Sequence, residues 1–192
     1  MWNAADQLGG AFCAIVKLLI LTGQRRGEIG GLRTEYIRGN TICLPSELTK
    51  NKRTHTFPVG KMARSILSTL PITGLLFPAR GHAGSPFNGW SKAKAALNTK
   101  IAISRGSEGD PRPLPPWTLH DIRRTYATNL QRLSVKLEVI EALLNHVSGT
   151  RSGIVGVYQR HAYEAEMRAA VETFEDWFRR IILAGAGTSR EE

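Results

Sequence analysis

The hydrophobic and polar positions of the chain divide it into a mainly helical series of elements. Residues 5–22, "ADQLGGAFCAIVKLLILT", are nearly all apolar and predict a buried helix that stops at Gly23, a residue suited to a helix C-terminus. A short helix is expected over 25–32. In "EYIRGNTICLP" two apolar stretches flank Gly39-Asn40, the signal of a β-hairpin, and "THTFPV" predicts a third strand. "SELTKNKR" then lies in the connection between the second and third strands. Helices are expected over 59–70 and 88–104. Four prolines and two glycines make "RGSEGDPRPLPPW" a loop. Thr118 is a natural N-cap for the helix "LHDIRRTYATNLQRL", with Asp121 three residues on at capping-box spacing. Further helices are expected over 136–146, around Tyr158, and over 163–182. The tail "AGAGTSREE" has nothing to pack and is expected to be disordered.

Length and composition make this a single globular domain. A chain of 192 residues can bury about 70% of its unfolded surface, and 42% hydrophobic residues is ordinary for a soluble protein. The longest apolar run, 12–21, contains Lys17 and is about half the length a membrane helix needs. The N-terminus lacks the basic region of a signal peptide, so a cytoplasmic protein with no membrane partner is expected. Cys13 and Cys43 form no CxxC and suggest neither a disulfide framework nor a zinc site.

Charge narrows the partner. Lys and Arg number 26 against 16 Asp and Glu, a formal charge of +10, which points to a polyanion: nucleic acid first, an anionic membrane second. Arginine supplies 18 of those cations, and its planar fork suits phosphate oxygens. A basic ribosomal-type protein would share this composition.

Four segments could carry chemistry. In "LHDIRRTY", His120 and Arg123 share a helix face in its first turns, where free N–H groups favour an anion. The plain alternative is a solvated basic face. In "LTGQRRGEIGGL" the chain turns at Gly23 and presents Arg25, with Glu28 placed to hold its guanidinium; an ordinary surface ion pair would look the same. Lys50 and Lys52 lie on a turn-rich connection from which a lysine could deliver a proton, or simply be solvated. His146 follows the apolar "VIEALLN", where a histidine usually caps a helix, and Tyr158 lies beyond a Gly/Ser-rich spacer. Tyr126, on the His120 helix, is better spaced for packing than for attack.

Taken in order, these segments resemble the catalytic domain of the tyrosine recombinases, the phage-integrase family. "TGQRRGE" is similar to its first arginine box, "TKNKRTHTFPV" to its lysine-bearing turn between strands, "LHDIRRTYAT" to its second box and "LLNHVSG" to its third, with "VYQR" supplying the tyrosine. The resemblance runs from about residue 8 to 180. It implies an α+β, mainly α fold with a small three-stranded antiparallel sheet beside a helical core. It also implies catalytic Arg25, Lys50, His120, Arg123, His146 and Tyr158, with Glu28 supporting Arg25. Tyr158 would attack a DNA phosphodiester to form a 3′-phosphotyrosyl link, followed by strand exchange. No Asp/Glu cluster suggests a magnesium site, so no metal is expected, and the resemblance implies strand exchange without ATP.

The implied partners are double-stranded DNA attachment sites, other copies of the chain in a synaptic tetramer, and DNA-bending accessory proteins. The implied setting is a bacterial or phage-encoded mobile element. Two departures stand out. The interval from His146 to Tyr158 exceeds the family's usual one by about one helical turn, leaving open whether Tyr158 acts in cis or in trans. The family's N-terminal core-binding domain is also missing, so 1–182 is expected to be a catalytic domain alone, followed by the tail 183–192. A type IB topoisomerase and an inactive DNA-binding remnant are the rival readings.

Overall fold

The computed structural model describes residues 1–107, 109, 112–146 and 163–187. Helix α1 (Trp2–Leu8) leads into α2 (Gly10–Thr22) and the short α3 (Arg26–Gly30). Strands β1 (Ile37–Arg38), β2 (Thr41–Leu44) and β3 (His55–Pro58) follow. Then come α4 (Lys61–Leu67), β4 (Pro78–Ala79), β5 (His82–Pro86), α5 (Trp90–Ser107), α6 (Leu119–Arg132), α7 (Leu137–Leu143) and α8 (Glu164–Gly187). The three-stranded antiparallel sheet has the order β1-β2-β3, with Arg38 opposite Thr41 across the Gly39-Asn40 turn. Phe57 faces Ile42 across β2–β3, and both side chains are buried.

Helix α2 is the hub. It packs against α1, α3, α4, α6 and α8, and Ile15, Val16, Leu18, Leu19 and Leu21 on it are almost wholly buried. Its apolar residues occur on all sides, as a helix surrounded by others requires. Helix α6 has the opposite character. Leu119, Ile122, Arg123, Tyr126, Asn129 and Leu130 form its buried stripe, at the spacing of one helix face. Glu175 of α8 reaches the start of α4 and accepts hydrogen bonds from the backbone N–H groups of Met62 (2.8 Å) and Ala63 (3.1 Å). Burial pushes its carboxyl pKa up, and those two donors oppose the shift.

Four elements depart from the sequence expectation. The single helix over 5–22 is two helices, because Gly9 and Gly10 both have left-handed backbones (φ 66° and 67°) and break the ladder between them. The β4–β5 ribbon was not foreseen, since proline, glycine, serine and histidine supply little strand propensity and β5 is exposed throughout. Helix α5 runs to Ser107, three residues past the expected end. Helix α8 continues past 182 to Gly187, although Leu183 is exposed. The remainder of the expected tail, 188–192, and the helix expected around Tyr158 lie outside the described residues. None of the described helices is long and apolar enough to cross a membrane.

Gly23 ends α2 with φ 64°, and its N–H donates to the carbonyl of Leu19 at 2.9 Å. A Cβ there would lie 2.4 Å from the Tyr126 ring and 2.9 Å from Leu144. That ring is itself packed on Phe174 at a centroid distance of 4.5 Å, so it cannot withdraw. Gly23→Ala should therefore lower unfolding stability by about 2–4 kcal/mol, combining left-handed strain with overpacking. Urea unfolding measures this directly, and an unchanged midpoint would show that the Tyr126 ring yields.

Candidate active site

The turn after α2 begins the site. Arg25 is the N-cap of α3 with an extended backbone (φ −74°, ψ 147°). Its backbone N–H donates to Glu28 Oε2 at 2.9 Å, and its Nη1 donates to Glu28 Oε1 at 2.8 Å. Glu28 is 2% exposed, so one buried carboxylate both caps the helix and holds the guanidinium. This is the pairing the spacing anticipated.

Helix α6 brings the second arginine. Asp121 Oδ2 accepts from the Thr118 backbone N–H (2.8 Å) and hydroxyl (2.7 Å), fixing the start of the helix as its capping pattern predicts. One turn on, Arg123 is only 7% exposed. Its Nη1 donates to the carbonyl of Gly23 at 3.0 Å and its Nη2 donates to the carbonyl of Leu144. One guanidinium thus ties the Arg25 turn to the end of α7. Its pKa is lowered to about 10, first by burial and then by Arg25, with Glu28 opposing, so it remains a cation at neutral pH. His120 sits exposed on the same helix. Its pKa is lowered, first by partial burial and then by Arg123 and Arg124, with Asp121 opposing and Arg25 adding to the depression. It is therefore mostly neutral at pH 7.

The β2–β3 connection forms the third side. Thr49 is buried, and its hydroxyl accepts from the Arg53 N–H (3.1 Å) and lies 2.7 Å from the Arg53 carbonyl, pinching the turn. Lys50 is exposed on this turn. Asn51 and Asn145 exchange side-chain hydrogen bonds between the connection and the turn after α7. His146 follows that turn; its N–H donates to the Glu141 carbonyl at 2.9 Å. Its ring is largely exposed, with Nδ1 3.8 Å from Glu141 Oε1.

His55, at the start of β3, was not foreseen. It is buried and stacked on Phe57 with ring centroids 5.0 Å apart, and its Nε2 lies 3.1 Å from the Leu143 carbonyl. Because a carbonyl only accepts, Nε2 carries the proton. Gln24 Nε2 donates to the same carbonyl at 2.8 Å. The pKa of His55 is lowered to about 4, first by burial, with the Leu143 carbonyl opposing and Arg123 and Arg25 adding to the depression. The alternation in "THTFPV" places His55 on the face of Phe57, a signal that could have marked it as buried. Nothing local marks Gln24, Asn51 or Asn145.

The structure therefore gathers Arg25, Glu28, His120 and Arg123, ties Arg123 to the Leu144 carbonyl two residues before His146, and joins Asn51, next to Lys50, to Asn145, next to His146. Tyr158 lies outside the described residues. Tyr126 is 1% exposed and packs on Phe174; burial, and then Glu175, push its hydroxyl pKa up, so it serves as a core ring, as expected.

Comparison with known proteins gives similarity at the level of family and fold. The phage integrase family is matched over residues 5–165. Prophage integrase IntZ of Escherichia coli is 31% identical over 183 residues, covering 92% of this chain and 41% of that protein. The chain thus spans about two fifths of the length of this curated relative. Among solved structures, the integrase from mycobacterium phage Brujita has a TM-score of 0.58 at 18% identity, covering 90% of this chain and 56% of its own. The XerH site-specific recombinase, in a pre-cleavage complex with difH substrate, gives 0.53 at 18% identity, covering 77% of this chain and 44% of its own. The Tn1549 transposon integrase, in complex with circular intermediate DNA, gives 0.55 at 17% identity, covering 88% and 62%. At such identities the likeness establishes a common fold.

The buried His55 has a consequence for acid stability. Above about pH 6.5 it is neutral whether the chain is folded or unfolded. Between there and about pH 4 the unfolded chain binds a proton that the folded chain does not, so stability falls as the pH falls. His55→Gln should remove about 2–3 kcal/mol of that acid loss, read as the difference in urea-unfolding free energy between about pH 7 and pH 4. Equal pH slopes for the two proteins would show that the folded state protonates His55 freely.

Proposed function

The chain belongs to the phage integrase family, and from that premise we propose that it is the catalytic domain of a site-specific DNA recombinase with Tyr158 as its nucleophile. The observation that carries this reading is the pairing of Arg25 and Arg123, two cations from distant segments that are close enough for Arg25 to disfavour the charge on Arg123. A phosphate between them relieves that repulsion. Arginine has five N–H donors in a planar fork. Arg123 commits one N–H from each Nη to the carbonyls of Gly23 and Leu144, which leaves three donors for non-bridging phosphate oxygens. Arg25 commits a single side-chain donor to Glu28 and keeps the rest.

The reaction follows from these roles. The Tyr158 oxygen attacks phosphorus, and both arginines stabilise the charge that grows on the equatorial oxygens of the transition state. A tyrosine hydroxyl has an unperturbed pKa of about 10, so it needs both a cationic neighbourhood and a proton acceptor. His120, mostly neutral at pH 7, can accept a hydrogen bond or that proton, and His146 can hydrogen-bond the same phosphate. The P–O5′ bond breaks as Lys50 passes a proton to the departing oxygen. The resulting 3′-phosphotyrosyl link retains the energy of the broken ester. The 5′-hydroxyl of a second strand reverses the step, giving strand exchange with neither metal nor ATP. Two duplexes and the neighbouring copies of the chain in a synaptic tetramer complete the exchange, with DNA-bending accessory proteins as further partners. Support for DNA as the substrate comes from the net charge of +10, from the circular intermediate DNA bound to the Tn1549 integrase and from the difH substrate of the XerH site-specific recombinase.

A library of nicked duplexes with a randomised core tests the reading, since an SDS-resistant protein–DNA adduct selects its own site. Tyr158→Phe should abolish the adduct while leaving DNA binding intact. An adduct that survives moves the nucleophile to Tyr163 or elsewhere, and no adduct with any duplex overturns the recombinase reading.

Binding of duplex by this chain should be weak and should fall steeply with salt, by about 0.9 decades of affinity per decade of salt for each phosphate neutralised. A nanomolar, salt-insensitive complex in a filter-binding or anisotropy titration would contradict that.

A further inference from the structure

The two rim groups, Lys50 and His146, are both exposed, and each stands next to an asparagine. Asn51 follows Lys50 and Asn145 precedes His146. These asparagines, 94 residues apart, pair amide to amide: Asn51 Nδ2 donates to Asn145 Oδ1 at 2.7 Å, and Asn145 Nδ2 donates back to Asn51 Oδ1 at 3.1 Å. Asn51 Nδ2 also lies 3.4 Å from the Asn145 carbonyl. Each partner is rigid on its own side. Asn51 Oδ1 accepts from the Arg53 N–H at 3.2 Å, inside the turn that Thr49 pinches. Asn145 holds a left-handed backbone at φ 48°, and its N–H donates to the Ala142 carbonyl at 3.2 Å. Asparagine is among the few residues besides glycine that adopt this conformation readily. The amide pair therefore joins two locally fixed turns and sets the distance between them.

We propose that the Asn51–Asn145 pair is a positioning clasp that holds the Lys50 ammonium at the leaving 5′ oxygen, an inference that rests on Lys50 being the proton donor described above. In that step the Tyr158 oxygen bonds to phosphorus, the P–O5′ bond breaks, and an Nζ proton moves to O5′, leaving Lys50 as a neutral amine. Neither asparagine touches substrate. The clasp acts through lysine, whose long flexible stem would otherwise sample many positions on an exposed connection.

This makes a prediction that a merely structural role would not. A duplex whose 5′-bridging oxygen is replaced by sulfur leaves as a thiolate and needs no proton. Asn145→Gly keeps the left-handed turn and deletes the amide, while Asn51→Ala deletes its partner from the other side. On the ordinary duplex selected above, each should slow adduct formation roughly ten- to a hundredfold, a part of what a positioned acid contributes. On the sulfur duplex each should return to within about threefold of the unaltered chain, as Lys50→Ala also should. DNA affinity should not change, and the double variant should be no slower than the slower single, because both remove one contact.

Equal slowing on both duplexes, or additive losses in the double variant, overturns the clasp. Failure of sulfur to rescue Lys50→Ala overturns the lysine's role and the clasp with it. Absence of any adduct from the unaltered chain is a different outcome, which overturns the recombinase reading itself. Should Asn145→Gly not fold, Asn51→Ala, at a half-buried position of the β2–β3 connection, carries the same comparison.

Discussion

The buried guanidinium of Arg123 is the contact on which the site depends. It lies in α6, yet its two bonded nitrogens reach the carbonyl that ends α2 and the carbonyl that ends α7. Three helices from separate stretches of the chain are therefore registered by one side chain. Desolvating a cation is costly unless it is hydrogen-bonded, so the fold has to present both carbonyls at the right spacing. Gly23 makes this possible in two ways. Its left-handed backbone turns its own carbonyl toward Arg123, and its missing side chain lets Tyr126 and Leu144 close over it.

The end of α7 extends the same logic. The last carbonyls of a helix have no partner within it and must find donors elsewhere. Here the Leu143 carbonyl takes Gln24 and His55, and the Leu144 carbonyl takes Arg123. Donors from the arginine turn, from the sheet and from α6 thus converge on one helix terminus, which also favours positive charge. The turn that bears His146 is fixed by the groups it satisfies.

The sequence made the arginine boxes legible because they sit at punctuation. Gly23 and Thr118 announce a helix end and a helix start, and Arg25, Glu28, His120 and Arg123 follow at spacings whose geometry is local. The three-stranded sheet was legible for the same reason, from Gly39-Asn40 and the β-rich runs beside it. What was not legible depends on contacts across the chain. Nothing near Asn51 reveals Asn145, and nothing near Gln24 reveals the carbonyl it meets. The split at Gly9-Gly10 was missed because an apolar run outweighs two glycines in any periodicity argument, whereas consecutive left-handed residues break a helix whatever surrounds them. The β4–β5 ribbon lacks both the alternation and the residue types that mark strands.

A division of labour follows from burial. Arg123 and Glu28 are buried and Arg25 is mostly so, whereas Lys50, His120 and His146 are exposed. Charge stabilisation gains most from groups held rigidly where the effective dielectric is low, because their field is not screened and they need not reorganise as charge develops. Proton transfer has the opposite requirement: the donor must exchange with solvent between turnovers and reach an atom that is itself leaving. In the reaction proposed above the substrate is a duplex, too large to enter a pocket, and that proposal calls for a surface with a fixed cationic floor and a proton-bearing rim. The arrangement around Arg123 has that form, and it also accounts for the neutral His55 beneath. An imidazolium at that depth would keep its bond to the Leu143 carbonyl but add a third positive charge beside Arg123 and Arg25, far from water.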